Sequence, residues 1–171
     1  AVEHELESAI ARTGSRSGSV VVMDARTGEI LAMANDPSFN ANDKNVPMAY
    51  RRNRAVTDGY EPGSTFKPLM LAGALQHGWH LTDKLNGERG SFVVQGHRIS
   101  EAEVHEKFES ISLERMIQVS SNVVAAKLAM KLGSKAVGET IRQFGFGSKT
   151  GTGFPGEISG MIPAAGNLQP P

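Results

Sequence analysis

With 171 residues, the chain is long enough for one domain with a substantial core. Its 18 basic residues balance 18 acidic ones, which argues against a nucleic-acid-binding protein, and the absence of cysteine excludes disulfides and cysteine-ligated metals. No run approaches the roughly 20 apolar residues that span a bilayer, so a membrane anchor would have to precede this sequence.

The first 60 residues predict a helix, a hairpin and a loop. Apolar residues recur at helical spacing among the charged residues of 2–12, which is the pattern of an amphipathic helix. Segments 19–23 and 30–34 are rich in β-branched or apolar residues, and turn-forming residues separate them, so they predict a β-hairpin. Residues 35–60 show little periodicity and predict a long surface loop.

A buried helix is predicted to begin at or near Ser64 and to end near His77, because apolar residues cover most of its circumference. Pro68 then lies in the first turn. A proline is tolerated there because the first four N–H groups of a helix have no partner within it.

The rest of the chain is predicted to be mostly helical. Short strands are expected at 91–94 and 97–99, and helices at 113–119, 122–132 and 134–144. Gly133 is a natural end for the second of these helices. Glycines and Pro155 crowd residues 145–156, which predicts an irregular turn region, and the tail to Pro171 has no pattern.

Ser64 and Lys67 are three positions apart, so on a helix they lie on one face about one turn apart. A lysine whose pKa is lowered by burial can take the proton of a serine hydroxyl, and a helix N-terminus stabilises an oxyanion. A lone Ser-x-x-Lys tetrapeptide is nevertheless common. It equally fits a serine that caps a helix and a solvated lysine, so further motifs have to decide.

The sequence around this pair resembles the active-site segment of penicillin-binding proteins. The similar segment is 54–68, and Ser120-Ser121-Asn122 fits the Ser-x-Asn motif that follows it in the family. Segments 22–33 and 144–157 also resemble family sequences, so the resemblance covers nearly the whole chain. The segment 61–65, Glu-Pro-Gly-Ser-Thr, is most similar to class B monofunctional peptidoglycan D,D-transpeptidases of the cell-division type.

This resemblance implies an α/β (α+β) fold, the penicillin-binding and serine β-lactamase-like transpeptidase fold, present only in part. We expect residues 1–171 to be the N-terminal portion of a single transpeptidase domain, with its C-terminal strands missing. Residues 1–60 would supply the helix, hairpin and long loop, 61–157 the mostly helical part with the active-site motifs, and 158–171 an irregular tail.

The resemblance also implies roles for four residues. Ser64 would attack the D-Ala-D-Ala carbonyl of a peptidoglycan stem peptide, and Lys67 would accept its proton. Ser120 would pass a proton to the leaving group, and Asn122 would bind the amide on the acyl side. An amine of a neighbouring stem peptide would then complete the cross-link, whereas β-lactam antibiotics would leave Ser64 blocked. The family uses no cofactor or metal.

The cellular setting that the resemblance implies is the bacterial envelope. We expect a parent protein that is anchored in the inner membrane upstream of this chain, with this domain in the periplasm. Its partners would be division proteins, including a glycan polymerase, and not nucleic acid.

Lys149-Thr150-Gly151-Thr152 spells the third motif of the family, Lys-[Ser/Thr]-Gly-[Ser/Thr], which normally lies on a strand beside the nucleophile. We expect it not to serve as that motif, because so many glycines do not build a central strand and because the family separates its second and third motifs by a far longer segment. Lys149 would then be a surface residue. The true third motif and half of the oxyanion hole would be absent, and this chain would be catalytically incomplete.

Two other functions share parts of this pattern. A class A serine β-lactamase needs a glutamate in an E-x-x-L-N segment, and none occurs between Asn122 and Pro171. A non-catalytic β-lactam sensor would lack Ser-x-Asn. A metal site at His77 and His80, or at His97 and His105, has no accompanying H-E-x-x-H motif or carboxylate cluster, so we expect exposed histidines.

Overall fold

The computed structural model describes residues 1–103 and 105–163. The chain divides into two compact units, one formed by Ala1–Tyr60 with Lys149–Ser159, the other by Glu61–Ser148 with the residues from Gly160 onward. Within the described ranges, no helix has the length and apolarity that crossing a bilayer requires.

The first unit contains the predicted helix and hairpin. Helix α1 spans Val2–Thr13, and strands β1 (Gly18–Met23) and β2 (Ile30–Asp36) pair antiparallel. The turn between the strands is closed by Asp24, whose carboxylate accepts the N–H groups of Arg26 and Thr27. These hydrogen bonds lower the pKa of Asp24.

The prediction of a long surface loop for residues 35–60 is wrong in part. A 3₁₀ turn occupies Met48–Tyr50, and a short helix, α2, occupies Arg54–Thr57. The side-chain oxygen of Asn35 accepts the N–H of Ala55 at 2.9 Å and so ties α2 to the end of β2. This contact joins residues 20 positions apart, and local periodicity does not reveal it.

The second unit is built on three helices. A 3₁₀ turn, Gly63–Phe66, leads directly into α3, Lys67–Gln76, with Pro68 in its first turn as predicted. Helix α4 spans Leu113–Gln118, and α5 spans Asn122–Gln143 with an interruption at Gly133, which has φ 78°. The expectation that α3 is buried rather than half-exposed is wrong in part, because Leu75 is 42% exposed.

The core of this unit lies where the three helices meet. It contains buried side chains from α3, α4 and α5 and from one strand: Ala74, Leu85, Leu113, Met116, Val124 and Leu128. Trp79 packs against this cluster just beyond the end of α3. The core therefore fixes the two helix N-termini, at residues 63–67 and 122, that carry the sequence motifs.

Four short strands complete the second unit: β3 (Lys84–Asn86), β4 (Ser91–Val94), β5 (His97–Ser100) and β6 (Ser110–Ser112). Strands β4 and β5 form the predicted pair, whereas the antiparallel pairing of β3 with β6 was not predicted. Strands β3 and β6 are three residues long, which is too short for an alternating pattern to be recognised.

Residues 149–154 form no strand, as expected. The N–H and the hydroxyl of Thr150 both donate to Oε1 of Glu157, at 2.6 and 2.5 Å, and these hydrogen bonds lower the pKa of Glu157. The segment is therefore a closed turn, and Lys149 is exposed. Residues 158–163 of the predicted tail also lack regular structure, and 164–171 lie outside the described residues.

Candidate active site

Ser64 and Lys67 lie in the first helical turns at the start of α3, and their side chains meet. The Nζ atom of Lys67 donates to Oγ of Ser64 at 3.1 Å. Ser64 is exposed, so its hydroxyl is accessible to a substrate, whereas Lys67 is half-buried. The continuous helical segment that follows places Ser64 at the positive end of the helix dipole.

The turn between α4 and α5 brings the second motif to the same amine. Lys67 Nζ donates to Oγ of Ser120 at 3.0 Å, to Oδ1 of Asn122 at 2.7 Å and to the backbone carbonyl of Ser120. The structure thus brings together Ser64, Lys67, Ser120 and Asn122, the four residues that the sequence indicated.

Ser120 adopts an unusual backbone conformation in this turn. Its φ is 54°, in the left-handed region that costs a residue with a side chain roughly 1–2 kcal/mol. The cap of α5 is Ser121, whose hydroxyl accepts the N–H of Val124 at 3.1 Å. Ser121 is thus the cap, and the Ser120 hydroxyl faces Lys67 instead.

Glu101 is a member of this site that sequence reasoning missed. Its Oε1 accepts the hydroxyl of Ser121 at 2.5 Å, and its Oε2 accepts the backbone N–H of Asn122 at 2.6 Å. The neighbouring carbonyl of Ser100 accepts Nδ2 of Asn122 at 3.0 Å. Glu101 belongs to no motif and follows a short strand, so nothing local distinguishes it from the exposed glutamates around it.

The electrostatics of the site act on the protonation of Lys67. Burial lowers the pKa of Lys67, because desolvation disfavours the ammonium form. The negative charges of Glu101 and Glu106 oppose this effect and raise the pKa. A lysine with a lowered pKa is suited to accept a proton.

The four histidines considered as metal ligands lie at the surface. His77, His80, His97 and His105 are all exposed, as expected, and Nδ1 of His77 is hydrogen-bonded to the carbonyl of Gly73 at 2.8 Å. In residues 1–103 and 105–163, no group of three or more His, Cys, Asp or Glu side chains is arranged to hold a metal ion.

Comparison with known proteins assigns the chain to a family. Residues 18–169 match the sequence model of the penicillin binding protein transpeptidase domain. The chain is 39% identical over 163 residues to the peptidoglycan D,D-transpeptidase FtsI of Escherichia coli K12, covering 95% of this chain and 27% of that protein. It is 38% identical over 162 residues to the probable peptidoglycan D,D-transpeptidase PenA of Neisseria gonorrhoeae, covering 92% of this chain and 27% of that protein.

Solved structures agree on the fold. The transpeptidase domain of penicillin-binding protein 3 from Burkholderia pseudomallei superposes with a TM-score of 0.82 at 29% identity, covering 97% of this chain and 45% of that one. A peptidoglycan glycosyltransferase from Burkholderia ambifaria superposes with a TM-score of 0.83 at 29% identity, covering 97% of this chain and 48% of that one. The chain thus spans about a quarter of the curated relatives and about half of the solved chains.

The mixed α/β fold predicted from the sequence is confirmed as a partial transpeptidase fold. The family model matches nearly the whole chain, and the relatives include FtsI and PenA proteins. The chain belongs to the penicillin-binding protein transpeptidase family and is part of the transpeptidase domain of a class B member.

Proposed function

We propose that this chain carries the nucleophile, the base and the proton relay of a peptidoglycan D,D-transpeptidase. The observation that carries the proposal is the position of the Lys67 amine, within 3.1 Å of the Ser64 hydroxyl and 3.0 Å of the Ser120 hydroxyl. One amine between two hydroxyls connects an attacking oxygen with a group that protonates a leaving group.

The contacts of Lys67 suit an amine that changes its protonation state. Two of its four partners, the carbonyl of Ser120 and Oδ1 of Asn122, accept hydrogen bonds and cannot donate them. A neutral amine has two N–H groups, which can donate to these two oxygens. Its lone pair is then available to accept a hydroxyl proton. After protonation, the third N–H donates to a hydroxyl, so neither fixed contact has to change.

Acylation then follows with a balanced transfer of protons. Oγ of Ser64 bonds to the carbonyl carbon of the penultimate D-Ala, and its proton passes to Lys67. The bond to the terminal D-Ala breaks, and the departing amine takes a proton that Lys67 delivers through Ser120. Asn122 donates one hydrogen of Nδ2 to Ser100, which leaves the second for the amide carbonyl on the acyl side of the substrate.

The acyl-enzyme is resolved by an amine of a neighbouring stem peptide, which forms the cross-link and regenerates Ser64. β-Lactam antibiotics enter the first half of the same reaction. Their ring amide opens on Ser64, the leaving nitrogen stays attached, and the site remains blocked.

We place the parent protein in the inner membrane with this domain in the periplasm, acting in septal wall synthesis beside a glycan polymerase. Similarity to the E. coli transpeptidase FtsI and the Glu-Pro-Gly-Ser-Thr segment at 61–65 support this setting. A fluorescent fusion of the full-length protein is expected at mid-cell during constriction, and uniform labelling of the side wall would contradict the division role.

The direct test uses the full-length protein that contains this sequence. Incubation with a fluorescent penicillin, followed by intact mass spectrometry, is expected to give one covalent adduct that Ser64→Ala abolishes. Thr65→Ala is a matched control: the hydroxyl of Thr65 neighbours Ser64 in sequence, but its hydrogen bond goes to the backbone carbonyl of Pro62 and not to the Lys67 amine. Labelling that persists in Ser64→Ala would refute the proposal, and rapid loss of the adduct with hydrolysed penicillin would indicate a β-lactamase instead.

A further inference from the structure

Glu101 is a buried carboxylate outside the Ser-x-x-Lys and Ser-x-Asn motifs. It is 9% exposed, and both of its oxygens accept hydrogen bonds, from the Ser121 hydroxyl at 2.5 Å and the Asn122 N–H at 2.6 Å. Burying a carboxylate is unfavourable unless its oxygens are paired, and charge-assisted hydrogen bonds are among the stronger ones. The carboxylate therefore constrains the residues that it contacts.

We propose that Glu101 is a positioning residue for acyl transfer: its carboxylate fixes the turn 120–122 so that the oxygens of this turn hold the Lys67 amine beside Ser64. This inference rests on the proposed function, because it assigns a role within the same reaction.

The turn needs such support because its conformation is unfavourable by itself. Ser120 has φ 54°, and from this residue both the carbonyl and the hydroxyl reach Lys67. The two residues that follow are the two that Glu101 holds. Ser121 donates to Glu101 and accepts from Val124, so the same hydroxyl joins the carboxylate to the first turn of α5.

Glu101 is itself held by the β4–β5 hairpin. It directly follows β5, and its N–H donates to the carbonyl of Gly90 at 2.9 Å. The carbonyl of the preceding Ser100 accepts Nδ2 of Asn122. The end of β5 thus contacts Asn122 at its backbone and at its side chain, which leaves Oδ1 directed at Lys67.

Glu101 also acts on Lys67 through its charge. The negative charges that act on Lys67 are those of Glu101 and Glu106, and both raise the pKa of the amine against the effect of burial. Among the described residues, the groups hydrogen-bonded to the amine are neutral oxygens, from the 3₁₀ turn Gly63–Phe66 and from the turn 120–122. Glu101 therefore has two effects that substitutions separate, the hydrogen bonds to the turn and the charge near Lys67.

The test compares four variants of the full-length protein: Glu101→Gln, Glu101→Asp, Glu106→Gln and Glu103→Gln. Acylation by a fluorescent penicillin is followed across pH, and the rate constant of the chemical step is separated from the affinity for the antibiotic. Glu103→Gln is the matched control because Glu103 is an exposed glutamate two positions away. Circular dichroism verifies that each variant is folded.

In Glu101→Gln we expect the maximal acylation rate to fall about ten- to a hundredfold, because an amide cannot accept from both donors and one buried group loses its partner. Its pH profile should also move to lower pH, since a negative charge near Lys67 is lost. Glu101→Asp should lower the rate without this shift, and Glu106→Gln should give the shift without the lower maximal rate. Glu103→Gln should match the wild type.

The proposal is overturned if Glu101→Gln acylates with the rate and pH profile of Glu103→Gln, or if only the affinity changes. Should Glu101→Gln fail to fold, a wild-type rate in Glu101→Asp overturns it equally. A wild-type protein without a Ser64 adduct refutes the proposed function and this inference together. If the wild-type protein is acylated and the substitutions at position 101 leave the acylation rate unchanged, this inference is refuted but the proposed function is not.

Discussion

The protonation of Lys67 is set by opposing effects that the site itself contains. Burial favours the neutral amine, whereas Glu101 and Glu106 favour the ammonium form, and burial is the larger effect. The pKa of Lys67 is therefore lowered, but the amine stays next to carboxylates that limit the shift. A base with a pKa closer to the working pH transfers protons more effectively.

We predict that the acylation rate of the full-length protein rises with pH through the pKa of Lys67, with a midpoint below the usual lysine value. The reason is that the neutral amine is the active base, so the rate grows as the ammonium form disappears. Lys67→Ala should lower the rate about 10²–10⁴-fold, the contribution typical of a general base. Stopped-flow measurements with a fluorescent penicillin across pH would determine both the midpoint and the rate loss in Lys67→Ala.

Lys149→Ala serves as the control, because Lys149 lies in a closed turn and is expected to have no part in catalysis. A midpoint at or above the usual lysine value would contradict the prediction. The free energy of unfolding should also rise with pH. Between the pKa of Lys67 in the folded state and its higher pKa in the unfolded state, the folded state binds fewer protons, so stability increases with pH in that window.

The residues of the site differ in how far sequence predicts them. Ser64 and Lys67 are one helical turn apart, but this spacing alone is common. The resemblance of segments 54–68 and 120–122 to the penicillin-binding family identified all four residues. Glu101 is 20 and 21 positions from the two residues that it contacts. Its role depends on the β4–β5 hairpin, and a single sequence gives no sign of which glutamate the hairpin will bury.

At the scale of elements, α3 packs closely against α5 at Gly73. Gly73 on α3 faces Thr140 on α5, and a Cβ atom at position 73 would lie 2.2 Å from Oγ1 of Thr140. Thr140 is buried, and its hydroxyl donates to the carbonyl of Ala136 at 2.9 Å. Glycine is needed here for close approach, since its φ is not in the left-handed region.

We predict that Gly73→Ala lowers the free energy of unfolding by about 1–3 kcal/mol, because overpacking separates the two helices. The effect opposes the gain of roughly 1 kcal/mol that alanine brings to a helix interior. Thermal unfolding of the full-length protein, followed by calorimetry, would measure it.

Thr140→Ala removes the Oγ1 and Cγ2 atoms that the new methyl group would meet. In combination with Gly73→Ala it should therefore recover part of the loss, and the two single effects should not add. Additive effects would show that the contact between positions 73 and 140 is not the cause.

Most elements were predictable because their signals are local. The periodicity of α1, the β-branched strands of the hairpin and the stop at Gly133 all lie within a few residues of sequence. The features that were not predicted share a different origin. The pairing of β3 with β6 and the docking of α2 depend on contacts between distant segments, and the opening turn at Gly63–Phe66 is 3₁₀, a distinction that apolar spacing does not make.

At the scale of the whole molecule, the two-stranded sheet of the first unit leaves apolar side chains in solvent. Val21 and Met23 on β1 are 43% and 54% exposed, and Leu31 on β2 is 59% exposed. An isolated hairpin is marginally stable, and clustered apolar side chains on a strand face favour contact with another surface. The solved relatives are about twice as long as this chain, and we expect the part of the domain beyond this segment to cover this face.

We predict that the 171-residue chain by itself binds a hydrophobic dye and acylates much more slowly than the full-length protein, which should bind little dye. The physical reasons are that the exposed strand faces lack cover and that the Lys-Thr-Gly-Thr segment at 149–152, which Glu157 holds in a turn, is not expected to supply the family's third motif. Dye fluorescence and intact mass spectrometry after penicillin treatment measure the two properties. Glu157→Gln should loosen the turn in both proteins without raising the acylation rate of the short one. Acylation of the short chain at the full-length rate would show that the Ser64, Lys67, Ser120 and Asn122 constellation is sufficient without a third motif.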